Sequence, residues 1–406
     1  MKIAFYIKPS NLKAGGIFTY SIGILKLLIS SNEITQIYLV HSGDQREYFE
    51  EYFSGKVIPV LVDRADRMTG ISYSISFFLY DIYTIYKDYL NNPGYLGFLK
   101  DLSNLFNPYL RKLKKLNIDL LHVPVQFSPV YEAHFPVVTT MHDLQEFHYP
   151  EFFPAAERLH RAVNCKKAIY KSNHVIVSFA HIKNDVLKYF EIEPSRVSIC
   201  PPPFAEEWFS KKSFTLKDEL IKKYSLLDNF ILYPAATWRH KNHAALIEAV
   251  ALLRDKGVDA SLICTGNKTE HYSLLQKQVD DLNLTEHVKF LGIVDEEDLI
   301  GLYKIAGAVV IPTLYEAGSG PMYEAMRYGT PVLASNVTSL PESMGDNRFI
   351  FDPKNVEEMR QLIEKLLTDK NFRNDNLKNS QQRIEFFKTQ DYAKNFIEVY
   401  KTVLNK

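Results

Sequence analysis

Residues 308–335 read AVVIPTLYEAGSGPMYEAMRYGTPVLAS, and the stretch changes texture twice. AVVIPT (308–313) is a short, β-branched apolar run of the kind that fills a strand covered on both faces. Gly318, Ser319, Gly320 and Pro321 then break the run. Proline suits the first turn of a helix, so a helix is expected over 320–328. PVLAS (331–335) is a second apolar run. Strand, helix and strand in so short a span form a parallel crossover unit.

The same alternation extends in both directions. Toward the N-terminus, VKFLG (288–292) precedes a helical pattern over 295–305. ASLICTG (260–266) precedes 269–282, and FILYPA (230–235) precedes 242–254. Toward the C-terminus comes RFIFD (348–352). The first half repeats the theme with KIAFYI (2–7), QIYLVH (36–41), VIPVLV (57–62), DLLHVP (119–124), FPVVTTMH (135–142) and HVIVSF (174–179). Alternating strands and helices predict an α/β chain of two Rossmann-like, doubly wound domains in tandem.

Pro201, Pro202 and Pro203 continue neither a helix nor a central strand, so the boundary is placed there. The domains expected are 1–203 and 204–388. A terminal helix over 389–406 is expected to pack back on the first domain. Residues 68–116, rich in Tyr, Phe, Leu and Lys, read as a helical insertion. It is either packed on the first domain or an amphipathic face for a lipid-bound acceptor or a membrane surface.

Composition removes other classes. The chain has 406 residues, long enough for two cores. Lys plus Arg equal Asp plus Glu at 48 each, which argues against a general nucleic-acid binder. Cys165, Cys200 and Cys264 lack metal-ligand spacing and read as small buried hydrophobes. The start, MKIAFYIKPS, is not a secretory signal, and no run reaches the roughly 20 apolar residues of a membrane span. Residues 71–86 come nearest, but Asp81 and serines interrupt them. The expected place is the cytoplasm, with peripheral contact at the inner face of the membrane left open.

Ligands of open α/β sheets bind at the carboxyl ends of the strands, and four polar features sit there. The first is Glu316 to Glu324 with the glycines between them. Gly318 and Gly320 allow close backbone approach, and the amides around Ser319 would open from a helix N-terminus toward an anion or sugar hydroxyls. The plain alternative is a capped helix with solvated glutamates. The second is Arg239-His-Lys241 after FILYPA. A lysine before a helix start opposes the dipole unless an anion offsets it, although an exposed basic loop would look the same. The third is Gly15-Gly16 after the first strand, which lacks the GxGxxG fingerprint of dinucleotide sites. The fourth is His142, ending the strand before Asp143. A lone histidine is more often structural, and only its position after a strand singles it out. No HExxH or comparable pattern occurs, so no metal is expected.

Together and in this order, these features resemble the family-four retaining glycosyltransferases of the GT-B fold. The resemblance covers nearly the whole chain and is densest over 230–353. The family's glutamate pair with seven residues between matches Glu316 and Glu324. EAMRYGTPVLASNVTSLPE (324–342) and GDNRFIFDP (345–353) look like the segments that follow it. RHKN (239–242) resembles the family's basic donor loop, and MHDLQEFHYPEFF (141–153) its histidine segment.

The resemblance implies two domains facing a cleft and transfer of a hexose, of mannose or glucose type. The donor would be a GDP- or UDP-linked sugar, a substrate rather than a cofactor. The acceptor would be a saccharide or lipid-linked, in surface polysaccharide or glycolipid synthesis. It implies Glu316 and His142 beside the donor sugar and Glu324 on the ribose. Lys241 and Arg239 would meet the diphosphate, with Gly15, Gly16, Gly318, Ser319 and Gly320 lining its path. Ile293 and Val294 would lie by the base. Many members carry Gly-Phe-Gly-Leu-Pro after the first glutamate, where this chain has Ala-Gly-Ser-Gly-Pro, and an arginine where it has Ala236. The competing expectations are another GT-B enzyme, an epimerase or a phosphorylase, and a non-catalytic sugar-nucleotide-binding scaffold.

Overall fold

The computed structural model describes residues 1–8, 16–53, 55–89, 96–204, 208, 210 and 212–405, and the side chains of 88 and 89 are not described. The chain forms two compact units. One comprises residues 1–148, 153–205 and 391–406, the other residues 149–152 and 206–390.

The first unit holds a seven-stranded, all-parallel sheet. Its strands are β1 (Lys2–Tyr6), β2 (Gln36–His41), β3 (Val57–Leu61), β4 (Leu120–Val123), β5 (Val137–Met141), β6 (His174–Val177) and β7 (Val197–Ile199), in the order β3-β2-β1-β4-β5-β6-β7. The sequence reading found six of these. It missed β7, whose three residues are too few to show a period.

Side chains on β1 alternate between two cores, as a strand requires. Ile3 and Phe5 pack with Ile24, Leu25 and Leu28 of the helix Gly16–Ser30. The helix Tyr392–Leu404 adds Phe396, Tyr400 and Val403 to that core. Ala4 and Tyr6 face the opposite cluster, with Tyr109, Leu110 and Leu113 from the helix Pro108–Leu113. Each fully buried aromatic or aliphatic side chain contributes about 1.5–3 kcal/mol. Residues 68–116 are helical as read: Arg67–Tyr89, Gly97–Phe106 and Pro108–Leu113, with 90–95 outside the described residues.

The second unit holds six parallel strands. They are β8 (Phe230–Pro234), β9 (Ser261–Thr265), β10 (Val288–Gly292), β11 (Ala308–Ile311), β12 (Val332–Ser335) and β13 (Ile350–Phe351), in the order β10-β9-β8-β11-β12-β13. Both β11 and β12 are buried along their whole length. The order reverses between β8 and β11: from β8 the chain first steps toward β9, and β11 then pairs on its other side. Such a reversal opens a crevice at the carboxyl ends, because the helices on its two sides lie on opposite faces.

Cys165, Cys200 and Cys264 are buried free thiols, and burial pushes Cys165 and Cys200 up to about 12. They therefore stay protonated and act as packing groups.

Candidate active site

In the second unit the carboxyl ends of all six strands of the sheet are stitched into one rim. The loop after β8 carries Thr237 and the short turn Arg239–Lys241. Thr237 donates its amide to Asn267 O at 3.0 Å, and Thr269 N donates to Thr237 Oγ1 at 2.7 Å, which ties this loop to the one after β9. Gly266 N in turn donates to Gly292 O at 2.7 Å, reaching the end of β10. On the other side, Leu314 N donates to His240 O at 2.7 Å, and Thr313 Oγ1 donates to the same carbonyl at 3.0 Å. Asn242 sits in the left-handed region with φ 58°. Its Nδ2 donates to Pro312 O at 3.0 Å and Pro353 O at 2.9 Å. An asparagine tolerates this conformation and satisfies two carbonyls at once.

Lys241 and Glu316 meet across this rim. Lys241 Nζ lies 2.7 Å from Glu316 Oε2, with the two side chains 20% and 13% exposed. The sequence reading expected a bound anion to offset the lysine charge before the helix His243–Asp255. In the structure the Glu316 carboxylate offsets it. Glu316 is pinned through its own backbone: its amide donates to Thr338 Oγ1 at 3.1 Å, and its carbonyl accepts from Thr338 Oγ1 at 2.6 Å and Ser339 Oγ at 3.0 Å. Arg239 and Trp238 are exposed beside it.

Gly318 has φ +115°, a conformation that needs glycine. It turns the chain into the helix Gly320–Tyr328, with Pro321 in the first turn. Ser319 precedes the helix and is 1% exposed, and its Oγ has no hydrogen-bond partner among the described residues. Gly320 is exposed, and a Cβ there would meet nothing within 4 Å. The helix N-terminus therefore presents amides to open space beside the Lys241–Glu316 pair, an arrangement suited to phosphate or sugar oxygens. Glu324, in the next turn, accepts a hydrogen bond from Tyr303 Oη at 2.7 Å. Burial raises its pKa, opposed by that hydrogen bond and by Arg327.

Ile293 and Val294 follow β10 at the end of the rim, Ile293 being 76% exposed. Sequence reasoning missed Gly266, the clasp of Thr237 and Thr269, and Tyr303, and it took in Asn242 only as the end of the RHKN motif, without its role of bridging two loops. Of the missed residues, Gly266 left a trace, as a glycine directly after a strand. It has φ +110°, and a Cβ there would lie 2.8 Å from Ala235 C.

In the first unit, His142 follows β5. Its Nε2 donates to Pro124 O at 2.9 Å, which leaves Nδ1 as an acceptor without a partner among the described residues. The Tyr20 ring lies edge-on at 4.9 Å, and burial holds the imidazole below its usual pKa, hence neutral. Gly16 begins the helix Gly16–Ser30 and has nothing within 4 Å of an added Cβ. Gly15 lies outside the described residues. Among the described residues, no three His, Cys, Asp or Glu side chains are grouped to hold a metal ion.

Comparison with known proteins agrees with this architecture. Residues 217–383 match the family model of glycosyl transferases group 1, and residues 64–207 that of glycosyltransferase family 4. The serotype-specific mannosyltransferase WbdA of Escherichia coli is 34% identical over 196 residues, 46% of this chain and 24% of WbdA. O-antigen chain mannosyltransferase B of Escherichia coli is 27% identical over 237 residues, 58% of this chain and 62% of the relative. The chain thus aligns with about a quarter of one relative and three fifths of the other.

Among solved structures, HepE of Anabaena in complex with UDP superposes with TM-score 0.63 at 16% identity, over 100% of this chain and 99% of that one. Sucrose-phosphate synthase from Thermosynechococcus elongatus gives 0.66 at 17%, over 100% and 99%. At such identities the likeness speaks for the fold alone. The two family models between them cover most of both units, and the chain belongs to the family-four glycosyltransferases, built on the GT-B fold.

Proposed function

We propose that the chain is a retaining hexosyltransferase that moves a mannose- or glucose-type sugar from a nucleotide-diphosphate donor to a saccharide or lipid-linked acceptor, in surface polysaccharide or glycolipid synthesis. One observation carries the reading. A lysine and a glutamate are paired at 2.7 Å at the strand-order reversal of the second unit, beside a glycine-opened helix N-terminus. The mannosyltransferase relatives favour a mannosyl donor, hence GDP, whereas the UDP complex of HepE keeps uridine in view.

The chemistry follows from charge. When the bond from the anomeric carbon to the diphosphate breaks, negative charge grows on the leaving oxygen. Lys241, Arg239 and the amides before Met322 supply positive charge there, and preorganised groups of this kind are the largest lever on such a step. The reading assigns no metal to that task. Lys241 leaves Glu316 to meet the diphosphate, and the freed carboxylate accepts from a sugar hydroxyl. The acceptor oxygen attacks the face the phosphate leaves, and a phosphate oxygen takes its proton, which retains the anomeric configuration. Glu324 accepts from the ribose diol, and Ile293 and Val294 lie against the base. His142, neutral with a free Nδ1, accepts from a donor-sugar hydroxyl.

A thermal-shift panel of UDP, GDP, ADP and their sugars, followed by transfer to saccharide and lipid acceptors, tests this. A stabilising nucleotide and a product of retained configuration are expected. His142→Ala is expected to lower transfer and leave nucleotide affinity unchanged. No nucleotide response removes the donor site. Nucleotide release without product across the acceptor panel points to the scaffold.

A further inference from the structure

We propose that Tyr303 is the positioning residue of the nucleoside subsite: its hydroxyl holds one oxygen of Glu324 and so orients the other toward the ribose diol. The inference rests on the reading of Glu324 as the ribose carboxylate. Tyr303 lies in the helix Glu296–Ile305 and is 1% exposed. Its Oη donates to Glu324 Oε2 at 2.7 Å, and its carbonyl accepts from Thr330 Oγ1 at 2.6 Å. Its ring lies 5.7 Å from that of Tyr328. Ring, hydroxyl and backbone are thus all held, and Glu324 Oε1 has no partner among the described residues.

A vicinal diol offers two hydroxyl donors, and an ionised carboxylate with one oxygen already fixed offers the other in a set direction. Fixing a carboxylate before the ligand arrives removes part of the ordering cost of binding. The hydroxyl-to-carboxylate bond is of the charge-assisted, strong type. The helix Glu296–Ile305, with Asp295 at its N-cap, begins two residues after Val294, so the base contacts lead into the element that carries the ribose clamp near its end. The base and ribose subsites are coupled through it.

Other charged groups near Glu324 are committed elsewhere. Arg327, on its own helix, donates to Ser210 O at 2.6 Å and stacks over the Trp208 and Tyr328 rings. Lys212 and Glu296 pair with each other. Burial raises the Glu324 pKa and the Tyr303 bond lowers it. Burial also keeps the Tyr303 phenol far above its usual range, so it remains the proton donor. Removing the hydroxyl therefore moves the Glu324 pKa upward, toward neutrality.

The test is calorimetry with UDP and with GDP between about pH 5.5 and pH 8.5, on wild type, Tyr303→Phe, Glu324→Ala and the double variant. Tyr303→Phe removes one oxygen and keeps the ring. Its nucleotide affinity is expected to fall about tenfold at the acid end, where the carboxylate is both unheld and partly protonated, and by a smaller factor at the alkaline end, where it is ionised but no longer held, and the double variant is expected to bind no more weakly than Glu324→Ala. An unchanged affinity, full recovery at the alkaline end, a loss equal at every pH, or losses that add in the double variant overturns the proposal. If Tyr303→Phe does not fold, 3-fluorotyrosine at position 303 keeps the shape and strengthens the donor. The acid limb must then move to lower pH, and an unmoved limb overturns the proposal. Glu324→Ala binding as wild type, or no binding of either nucleotide to wild type, refutes instead the ribose reading on which the proposal stands.

Discussion

Replacing Lys241 by methionine keeps the length of the side chain and removes its charge. Glu316 then stands 13% exposed with no cationic partner among the described residues. Breaking a buried ion pair from one side costs about 3–5 kcal/mol, because the remaining charge stays desolvated. A fifth or less of each side chain still reaches water, which offsets part of that, so about 2–3 kcal/mol is expected. For a unit of this size, each kcal/mol moves the melting midpoint by about 2–4 °C, giving a drop of roughly 4–12 °C by calorimetry. Glu316→Gln and the double variant complete a cycle, in which the double is expected to lose about 2 kcal/mol less than the sum.

Binding supplies the second readout. Losing a charged contact to the diphosphate weakens UDP or GDP by about 10- to 100-fold. Glu316→Gln acts in the opposite direction: it frees Lys241, so nucleotide binds as tightly as in wild type or more tightly, while transfer falls. Additive stabilities within about 0.5 kcal/mol refute the coupling. Unchanged affinity in Lys241→Met removes the lysine from the diphosphate, and weakened affinity in Glu316→Gln refutes the competition between carboxylate and phosphate.

Gly266→Ala places a methyl 2.8 Å from Ala235 C and 2.9 Å from Ala236 N at φ +110°, so stability falls by about 2 kcal/mol or more and the loop ahead of Arg239 shifts. A wild-type melting curve with unchanged nucleotide affinity contradicts that. Burial pushes His122 and His243 down to about 3 and His181 down to about 4, from 6.5. Each folded-state value lies below the unfolded one, so the unfolded chain binds more protons in between. Stability is full above about pH 6.5 and falls by up to about 1.4 kcal/mol per pH unit per histidine as the pH drops. A melting midpoint flat from neutrality to about pH 4.5 refutes this. On the helix Arg67–Tyr89, Met68, Ile71, Ile75, Phe78 and Ile85 are exposed at helical spacing, and no helix among the described residues is long and apolar enough to cross a membrane. This stripe is expected to bind anionic vesicles peripherally. Sedimentation unaffected by Ile71→Ser with Phe78→Ser argues against it.

The two doubly wound sheets were legible because buried parallel strands need continuous apolar runs, and twelve of the thirteen strands among the described residues fall on one. The glycines and Pro321 likewise marked the turn into the helix Gly320–Tyr328, since backbone conformation restricts residue type locally. The candidate residues could be named from their places after strands, and the family from the order of those motifs. The order of strands within the sheet could not be read. Only the pairing of β8 with β11 brings Lys241 to Glu316, 75 residues later, and only the packing of two helices brings Tyr303 to Glu324. An apolar run records that a strand is buried and not which strand lies beside it, because backbone hydrogen bonds are the same for every neighbour. The charges and hydroxyls of the site are written in the sequence, and tertiary structure alone decides which of them meet.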